Sequence, residues 1–186
     1  MTSLPFSRSD LEAATRRGER FDYLCFWGHR KPKDGSVVET CFSQWYPTPF
    51  EIDGVRYATA EHYMMAGKAR LFGDDAALER ILRAPSPAAA KKLGRTVQGF
   101  DDRRGHERRF EIVVEGNTAK FSQHPDLRAF LRASKNHILV EASPVDRIWG
   151  IGLSRDDPRA QRPDAWRGLN LLGFALMVVR ERLEKA

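Results

Sequence analysis

The sequence predicts one α+β domain that is predominantly α-helical and carries a small β-sheet or hairpin. Three observations favour this class. The chain has 186 residues, 41% of them hydrophobic, which is enough for one sizeable core. Strand patterns are few and do not alternate with helices, as they would in a doubly wound parallel fold. The dinucleotide-binding pattern G-x-G-x-x-G is also absent.

The first third of the chain predicts an arm, strands and a hairpin. Residues 1–20 are expected to form an N-terminal arm, and residues 21–186 the main domain. Aromatic and β-branched residues predict strands over 21–27 and 37–45. Asp53-Gly54, set between apolar segments, predicts a hairpin because both residues accept the positive φ of a type I′ turn.

Helix signals dominate the rest of the chain. Thr59, Asp74 and Ser86 are predicted N-caps, because their side-chain oxygens can accept from free backbone N–H groups. The remaining predicted elements are helices over 107–120, after His124 and over 169–183, with a short strand over 138–141. The last helix is nearly apolar at its start, so we expect it in the core.

Composition excludes several classes of protein. No apolar segment approaches the roughly 18 residues of a membrane span, and the N-terminus lacks the apolar segment of a signal peptide. We therefore expect a cytoplasmic protein that has no membrane partner. The 2 cysteines predict no disulfide framework, and the 5 histidines lack metal-ligand spacing. No metal and no cofactor is predicted.

The formal net charge of +6 has two interpretations. The basic residues are dispersed in small groups, which is typical of solvated helix faces. The same excess would also attract an anionic substrate, a phosphate or a nucleic acid. Lys91 and Arg95, in the segment K-K-L-G-R, are the candidates for binding a substrate phosphate, with surface solubility as the alternative.

The segment A-E-H-Y-M-M-A-G-K-A carries the first candidate site. Glu61 and Lys68 lie two helical turns apart and therefore share one stripe of the predicted helix. Their α-carbons should be about 10 Å apart, which leaves room for a small group between carboxylate and ammonium. The alternative is structural, because an acid in the first turn and a cation near the end both favour the helix dipole.

The segment E-A-S-P-V-D-R-I-W-G-I-G-L carries the second candidate site. Asp146 stands three residues before Trp149, and Gly150 leaves bare backbone beside the indole ring. An aromatic face next to a carboxylate suits a flat heterocycle attached to a sugar. Alternatively, Trp149 is a core anchor and Gly150 part of a turn. Asn170, in a similar but weaker cluster, is a candidate for substrate binding or for capping the last helix.

Six segments match motifs of one known family, in order along the chain. They are F-W-G-H, F-S-Q-W-Y, Y-A-T-A-E-H-Y-M-M-A-G-K-A, K-F at Lys120-Phe121, V-E-A-S-P-V-D-R-I-W-G-I-G-L and W-R-G-L-N-L-L-G-F-A-L-M-V-V-R. Together they resemble the NADAR family, also called YbiA-like. The matches run from about Phe26 to Arg180, which is most of the chain. The mostly helical fold of that family agrees with the prediction above.

The resemblance implies an N-glycosidase that cleaves the bond between a ribosyl carbon and a base-like nitrogen. Family substrates are ribosylamino-pyrimidine phosphates of early riboflavin synthesis and ADP-ribose attached to guanine, including guanine in nucleic acid. By motif position, Glu61 is the family's acid and Lys68 its lysine, and Asp146 and Trp149 belong to its D-x-x-W-G segment. A carboxylate can stabilise an oxocarbenium-like transition state, and a neutral lysine can form a Schiff base with an opened sugar.

The chain departs from the family pattern at Gly105. In many relatives a tryptophan with a catalytic or base-stacking role begins the helix at this position. A second hypothesis is therefore a binding module for ADP-ribose or a related nucleotide, without turnover. A third, a basic nucleic-acid-binding protein, is disfavoured because the basic residues form no tract interleaved with aromatic ones.

Overall fold

A computed structural model describes residues 4–185 of the chain. The elements are α1 (Arg8–Arg16), β1 (Tyr23–Phe26), β2 (Phe50–Ile52), β3 (Val55–Tyr57), α2 (Ala60–Phe72), α3 (Asp75–Leu82), α4 (Pro87–Gly94), α5 (Asp102–Gln123), α6 (Pro125–Ala133), β4 (Ile138–Glu141) and α7 (Leu171–Lys185). Two 3-10 turns, Glu39–Phe42 and Pro163–Ala165, lie between them. Helices dominate and the strands form two separate pairs, so the predicted α+β class is confirmed. Across this range no helix combines the length and the apolarity that crossing a bilayer requires.

The two strand pairs have different roles. Strands β2 and β3 form the predicted hairpin, and its turn residues Asp53 and Gly54 have φ values of 51° and 75°, as a type I′ turn requires. Strands β1 and β4 pair in parallel, with Phe26 opposite Glu141. Residues 138–140 of β4 are fully buried, and Glu141 ends the strand directly after this apolar segment.

The three predicted helix starts are correct. Thr59, Asp74 and Ser86 each accept a hydrogen bond from the backbone N–H three residues ahead, at the N-termini of α2, α3 and α4. His62, whose Nδ1 lies 2.8 Å from the Thr59 hydroxyl, is buried and belongs to the same cap. Helix α2 ends at Gly73, which has a left-handed φ of 70°.

Two hydrophobic cores meet along helix α5. The larger core contains α7 and the β1–β4 pair, and Phe121 of α5 belongs to it. The smaller core contains the hairpin and helices α2–α4, and Ile112 of α5 packs against it. Met65 of α2 contacts both cores. Helix α2 therefore lies at the boundary between them.

The strand predicted over 37–45 is wrong, because this segment forms the 3-10 turn Glu39–Phe42 instead. The cause is a contact that is distant in sequence. The Lys120 ammonium of α5 is fully buried and donates to the carbonyl oxygens of Cys41, at 2.6 Å, and Ser43, at 3.0 Å. In an extended strand the carbonyl oxygens of residues two apart lie about 6.6 Å from each other, too far for one ammonium to bind both at these distances. The buried cation would then lose a partner, which is costly.

Smaller differences concern helix ends and the arm. Helix α5 begins at Asp102, five residues before the predicted start, because Asp101 caps it and accepts from the Arg104 N–H. The predicted arm contains α1, whose Leu11 is fully buried in the larger core. The division of the chain at residue 20 stays a prediction.

The contact of α7 with β4 predicts a stability effect. A Cβ on Gly173 would collide with the Leu139 carbonyl oxygen and the Asn170 amide, both held in the core. We expect Gly173→Ala to lower the free energy of unfolding by roughly 1–3 kcal/mol, as overpacking does. The measurement is urea denaturation at pH 7.

Gly105→Ala is the matched control. It is the same change in another helix, and the added Cβ would meet only the exposed ring of Phe100, at 2.9 Å. Since that ring can move and alanine favours a helix, its stability should stay within about 1 kcal/mol of the parent protein. Equal losses in both variants would contradict close packing of α7 on β4.

Candidate functional site

The site begins on the face of helix α2 that lies at the boundary of the two cores. Glu61, in the first turn, is only 2% exposed, and its backbone N–H donates to the Gln44 carbonyl at 2.9 Å. Lys68 follows two turns later on the same stripe and is half-buried. The Met64 and Met65 side chains separate them and make the surroundings of both polar groups apolar. The structure therefore places the two residues on one face, where the sequence predicted them.

A second acid, Glu141, lies beside Glu61. The field of the Glu61 carboxyl acts on Glu141, and Asp146 and Lys91 act on both. Glu61 Oε1 and Glu141 Oε2 are buried and accept no hydrogen bond from any residue within 4–185. One carboxyl oxygen on α2 and one at the end of β4 are thus buried without a hydrogen-bond partner among these residues.

Burial governs the protonation of this pair. It raises the pKa of the Glu61 carboxyl to about 7, and the Lys91 ammonium opposes that rise. Burial also raises the pKa of Glu141 to about 8, and the negative charge of Asp146 adds to the shift. Both groups can therefore hold or release a proton near neutral pH, as general acids and bases must.

Sequence reasoning did not select Glu141. It ends strand β4, and its backbone N–H donates to Asn170 Oδ1 at 2.9 Å, while its carbonyl accepts from the Ile151 N–H. The available signal was its position, an acid directly after three core residues and five residues before Asp146 in the second motif. Only the fold reveals that Glu141 and Glu61 are neighbours.

Asp146 shapes the loop that carries Trp149. Its Oδ1 accepts from the backbone N–H groups of Ile148, at 2.9 Å, and Trp149, at 2.7 Å. This closes a tight turn and leaves the Trp149 indole half-buried at the wall of a cavity. Asp146 therefore positions the aromatic ring in addition to its electrostatic effect on Glu61 and Glu141.

The cavity lies beside Lys68 and has a volume of about 270 Å³. The residues that matter for its chemistry are Lys68, Phe100, Asp102, Gly105, Arg109 and Trp149. The Lys68 ammonium donates to the Gly94 carbonyl at 2.8 Å and lies 4.0 Å from the centre of the Phe100 ring. Burial lowers the pKa of Lys68, and the Asp102 carboxylate opposes this. The neutral, nucleophilic amine is therefore more accessible than on a solvated lysine.

Gly150 and Asn170 do not line the cavity beside Lys68, and their contact with substrate stays a prediction. Gly150 is buried, and a Cβ on it would come 2.8 Å from the Glu141 carbonyl oxygen. Asn170 has no exposed surface, and its amide group bonds to the backbone of β4 at Leu139 and Glu141. Through these backbone contacts both residues connect Glu141 with the loop that carries Trp149.

Lys91 lies in the last turn of α4, and Arg95 follows the end of that helix. Lys91 is half-buried, with its ammonium 5.9 Å from the centre of the Trp45 ring, and Arg95 is exposed. Neither side chain lines the cavity beside Lys68. Their positive charges nevertheless act on the Glu61 carboxyl, so both belong to the surroundings of the acid pair.

The cavity wall at Gly105 is occupied by another aromatic residue. A Cβ on Gly105 would be 2.9 Å from the Phe100 ring, so the ring fills the space that a side chain here would need. Phe100 also packs edge-on against Phe72, with ring centres 5.2 Å apart. Helix α5 thus has no aromatic side chain at this position, but Phe100 still gives the cavity an aromatic wall.

The combination of groups defines a class of enzyme. Two acids that titrate near neutrality, a desolvated amine and aromatic walls suit the cleavage of a glycosidic bond to a flat leaving group. Comparison with known proteins agrees. The NADAR domain model matches residues 25–184, and the chain therefore belongs to the NADAR family.

Individual relatives carry the activity in their names. An N-glycosidase of Acanthamoeba polyphaga mimivirus is 42% identical over 164 residues, covering 86% of this chain and 95% of its own. The N-glycosidase YbiA of Escherichia coli is 33% identical over 142 residues, covering 76% and 80%. The NMR structure of E. coli YbiA matches with a TM-score of 0.70 and 29% identity over 90% of this chain and 88% of that one. The protein is accordingly an enzyme of the N-glycosidase class, which hydrolyses N-glycosyl bonds.

The acid pair predicts a pH dependence of stability. Because the pKa of Glu141 rises on folding to about 8, its contribution is fully present below its unfolded pKa and is lost as pH rises toward 8. Glu141→Gln keeps the uncharged form at every pH. We expect the variant to be more stable than the parent protein at pH 9, by about 1–3 kcal/mol, and to differ little at pH 5.

Thermal and urea denaturation between pH 5 and pH 9 would measure this effect. Glu51→Gln, which changes an exposed glutamate on the hairpin, is the control and should leave the pH profile unchanged. A Glu141→Gln profile that runs parallel to that of the parent protein would show that Glu141 is not held in its protonated form.

Proposed function

We propose that the enzyme hydrolyses the N-glycosidic bond between a ribosyl group and a base-like nitrogen. The substrate class is ADP-ribosylated guanine or a ribosylamino-pyrimidine phosphate, and the expected location is the cytoplasm. One observation carries the proposal. A partly desolvated lysine and a buried acid share one face of α2, and the lysine lines a cavity with aromatic walls.

Glu61 is proposed as the residue that moves the proton. A carboxyl with a pKa of about 7 is present in both forms at neutral pH, so it can give a proton to the leaving nitrogen and take one from water. Asp146, whose charge acts on Glu61, is proposed to stabilise positive charge at the ribosyl carbon. Trp149 supplies a flat surface for the base.

Lys68 is proposed as the nucleophile. When ribose is joined to an amine nitrogen, the C1–O4 bond of the ring can break as a C1–N double bond forms and O4 takes a proton. The neutral Lys68 amine then adds to C1. The leaving nitrogen departs with a proton from Glu61, and a C1–Nζ Schiff base remains. Water adds to C1 and the C1–Nζ bond breaks, which releases the sugar and restores the amine.

Borohydride trapping tests the covalent step. Reduction during turnover should add the mass of the ribosyl fragment to the peptide that contains Lys68, as read by mass spectrometry. Lys68→Ala should remove both the adduct and the activity, whereas Lys92→Ala, an exposed lysine on α4, should change neither. If borohydride yields no adduct and the Lys68→Ala variant still hydrolyses the substrate, the result would favour a direct oxocarbenium route.

Glu61→Gln tests the proton transfer. The substitution keeps the shape of the side chain and removes the titrating group, so we expect kcat to fall by about 10²–10⁴-fold. The alkaline limb of the parent pH profile, near pH 7, where Glu61 loses the proton that it gives to the leaving nitrogen, should disappear with it. A variant that keeps its kcat and the same alkaline limb would assign the proton transfer to another residue.

Lys91 and Arg95 are proposed to attract the substrate phosphate, since both charges act on the Glu61 carboxyl. Lys91→Gln combined with Arg95→Gln should raise KM for a phosphorylated substrate several-fold and leave KM for its dephosphorylated form unchanged. Equal KM values for the parent protein and the double variant would assign these two residues to solubility alone.

A further inference from the structure

Asn117 is a polar residue of α5 that has no exposed surface and does not line the cavity beside Lys68. Its Nδ2 group donates to Gln44 Oε1 at 2.7 Å and to the Val113 carbonyl at 2.8 Å, so both amide hydrogens are used. Gln44 is itself only 6% exposed. The Gln44 side chain is therefore joined to α5 in the interior, where solvent does not compete for the bond.

Gln44 connects this bond to helix α2. The Gln44 carbonyl accepts the backbone N–H of Glu61 at 2.9 Å. Glu61 lies in the first turn of α2, where backbone N–H groups have no partner within the helix. The preceding carbonyl, that of Ser43, accepts from the Lys120 ammonium at 3.0 Å. Asn117 and Lys120, three residues apart on one face of α5, thus fix the backbone that meets the N-terminus of α2.

Helix α2 also packs directly on this part of α5. A Cβ on Gly116 would collide with the Tyr63 ring, so the glycine allows a close approach two residues after Glu61. The Tyr63 hydroxyl donates to Glu115 Oε2 at 2.8 Å. The first turn of α2 is therefore held by a backbone contact at Glu61 and by close packing at Tyr63.

The Gln44–Asn117 pair lowers the stability of this part of the core. Gln44 Nε2 and Asn117 Oδ1 are buried and have no hydrogen-bond partner among residues 4–185. Two apolar side chains of similar volume would avoid the cost of burying these unpaired groups. A polar pair that destabilises its surroundings, yet fixes the backbone opposite Glu61, points to a role in the site.

The charged groups around Glu61 do not belong to α5. Lys91 and Arg95 lower the pKa of the Glu61 carboxyl, and Asp146 raises it. The charge of Glu61 acts in turn on Glu141. Burial is nevertheless the main cause of the raised pKa of Glu61. A change at Asn117 would therefore alter the burial of Glu61 and leave the surrounding charges in place.

We propose that Asn117 is a positioning residue for the proton transfer at Glu61. By fixing Gln44 it keeps the first turn of α2, and with it the Glu61 carboxyl, away from solvent. Asn117 acts only through Gln44 and contacts no reacting group. The inference rests on the proposed function of Glu61 as the residue that moves the proton.

Asn117→Leu tests the proposal, because it roughly keeps the volume of the side chain and removes the donor. Once Gln44 is released, water should reach Glu61, and the pKa of its carboxyl should fall to about 6 or lower, toward its ordinary value. The measurement is ¹³C NMR of the glutamate carboxyl groups across a pH titration, with the Glu61 signal assigned by its absence in Glu61→Gln. The alkaline limb of the kcat profile should move to lower pH by the same amount, because less Glu61 is protonated.

Thr118→Val is the matched control on the same helix. The half-buried Thr118 hydroxyl donates to the Val114 carbonyl at 2.8 Å, so the substitution removes one side-chain hydrogen bond of α5 and leaves the Gln44 contact intact. We expect the Glu61 titration and the kcat profile of this variant to match those of the parent protein.

The double variant Gln44→Leu/Asn117→Leu separates positioning from stability. Replacing both polar partners removes the buried unpaired groups, so the free energy of unfolding that Asn117→Leu loses should be recovered in urea denaturation. The shifted Glu61 titration should remain, because the polar link to α5 is still missing. This variant also carries the test alone if Asn117→Leu does not fold.

A Glu61 titration that stays at the position of the parent protein in either variant would overturn the proposal. The NMR measurement needs no turnover, so the two hypotheses can fail separately. If the titration shifts as expected but Glu61→Gln keeps its kcat, Asn117 positions Glu61 and the proposed proton transfer is wrong. If Glu61→Gln loses its kcat and the titration does not shift, the proton transfer stands and the role of Asn117 is wrong.

Discussion

The buried ammonium of Lys120 fixes the segment on which the acid pair depends. It donates to the carbonyl oxygens of Cys41 and Ser43, which bends the chain into a turn next to α5. The carbonyl of Gln44, the next residue, accepts the backbone N–H of Glu61. The Gln44 side chain is held in turn by Asn117 Nδ2 at 2.7 Å. Helix α5 thus anchors the N-terminus of α2 through polar contacts in an otherwise apolar interior.

The surrounding backbone contacts keep the carboxyl groups of Glu61 and Glu141 in the interior of the protein. One oxygen of each carboxyl has no hydrogen-bond partner in the described part of the chain. A carboxyl on the protein surface would find solvent or a donor after a small side-chain rotation. An unpaired buried carboxyl destabilises a fold when it is ionised. The scaffold tolerates this because strand β4 and Asn170 hold Glu141, and the Gln44 segment holds Glu61. The same constraint keeps both acids near their titration points at neutral pH.

Features that depend on neighbouring residues, such as helix caps and turns, could be predicted from the sequence. Contacts between residues that are distant in sequence could not. The caps at Thr59, Asp74 and Ser86 and the Asp53-Gly54 turn depend on residues within one helical turn, so their patterns predicted the structure. The segment 37–45 has strand composition, yet the distant Lys120 decides its conformation. A local pattern cannot include such a partner.

The candidate site divides in the same way. Glu61 and Lys68 lie on one helix, and helical periodicity alone places them on one face. Glu141 was missed because it reaches Glu61 only through the parallel pairing of β4 with β1. The residue types of Gly150 and Asn170 fit either substrate contact or a turn and a helix cap, and the structure shows both buried against the backbone of β4.

Gly105 connects the site to the choice between an enzyme and a binding module. From the sequence, the glycine suggested the loss of an aromatic group with a role in stacking or catalysis. In the structure the Phe100 ring lies against Gly105, lines the cavity and has its centre 4.0 Å from the Lys68 ammonium.

An aromatic face above an amine stabilises its charged form modestly, while burial favours the neutral form. Phe100 and the apolar wall therefore act on the protonation of Lys68 in opposite directions. The cavity therefore retains both an aromatic surface for a base and a lysine with a lowered pKa, the two features that a Schiff-base route needs. A module that only binds nucleotides would need the aromatic surface but would have no use for two buried acids with raised pKa values. The departure at Gly105 therefore leaves the cavity with an aromatic wall, which Phe100 supplies from the loop before α5.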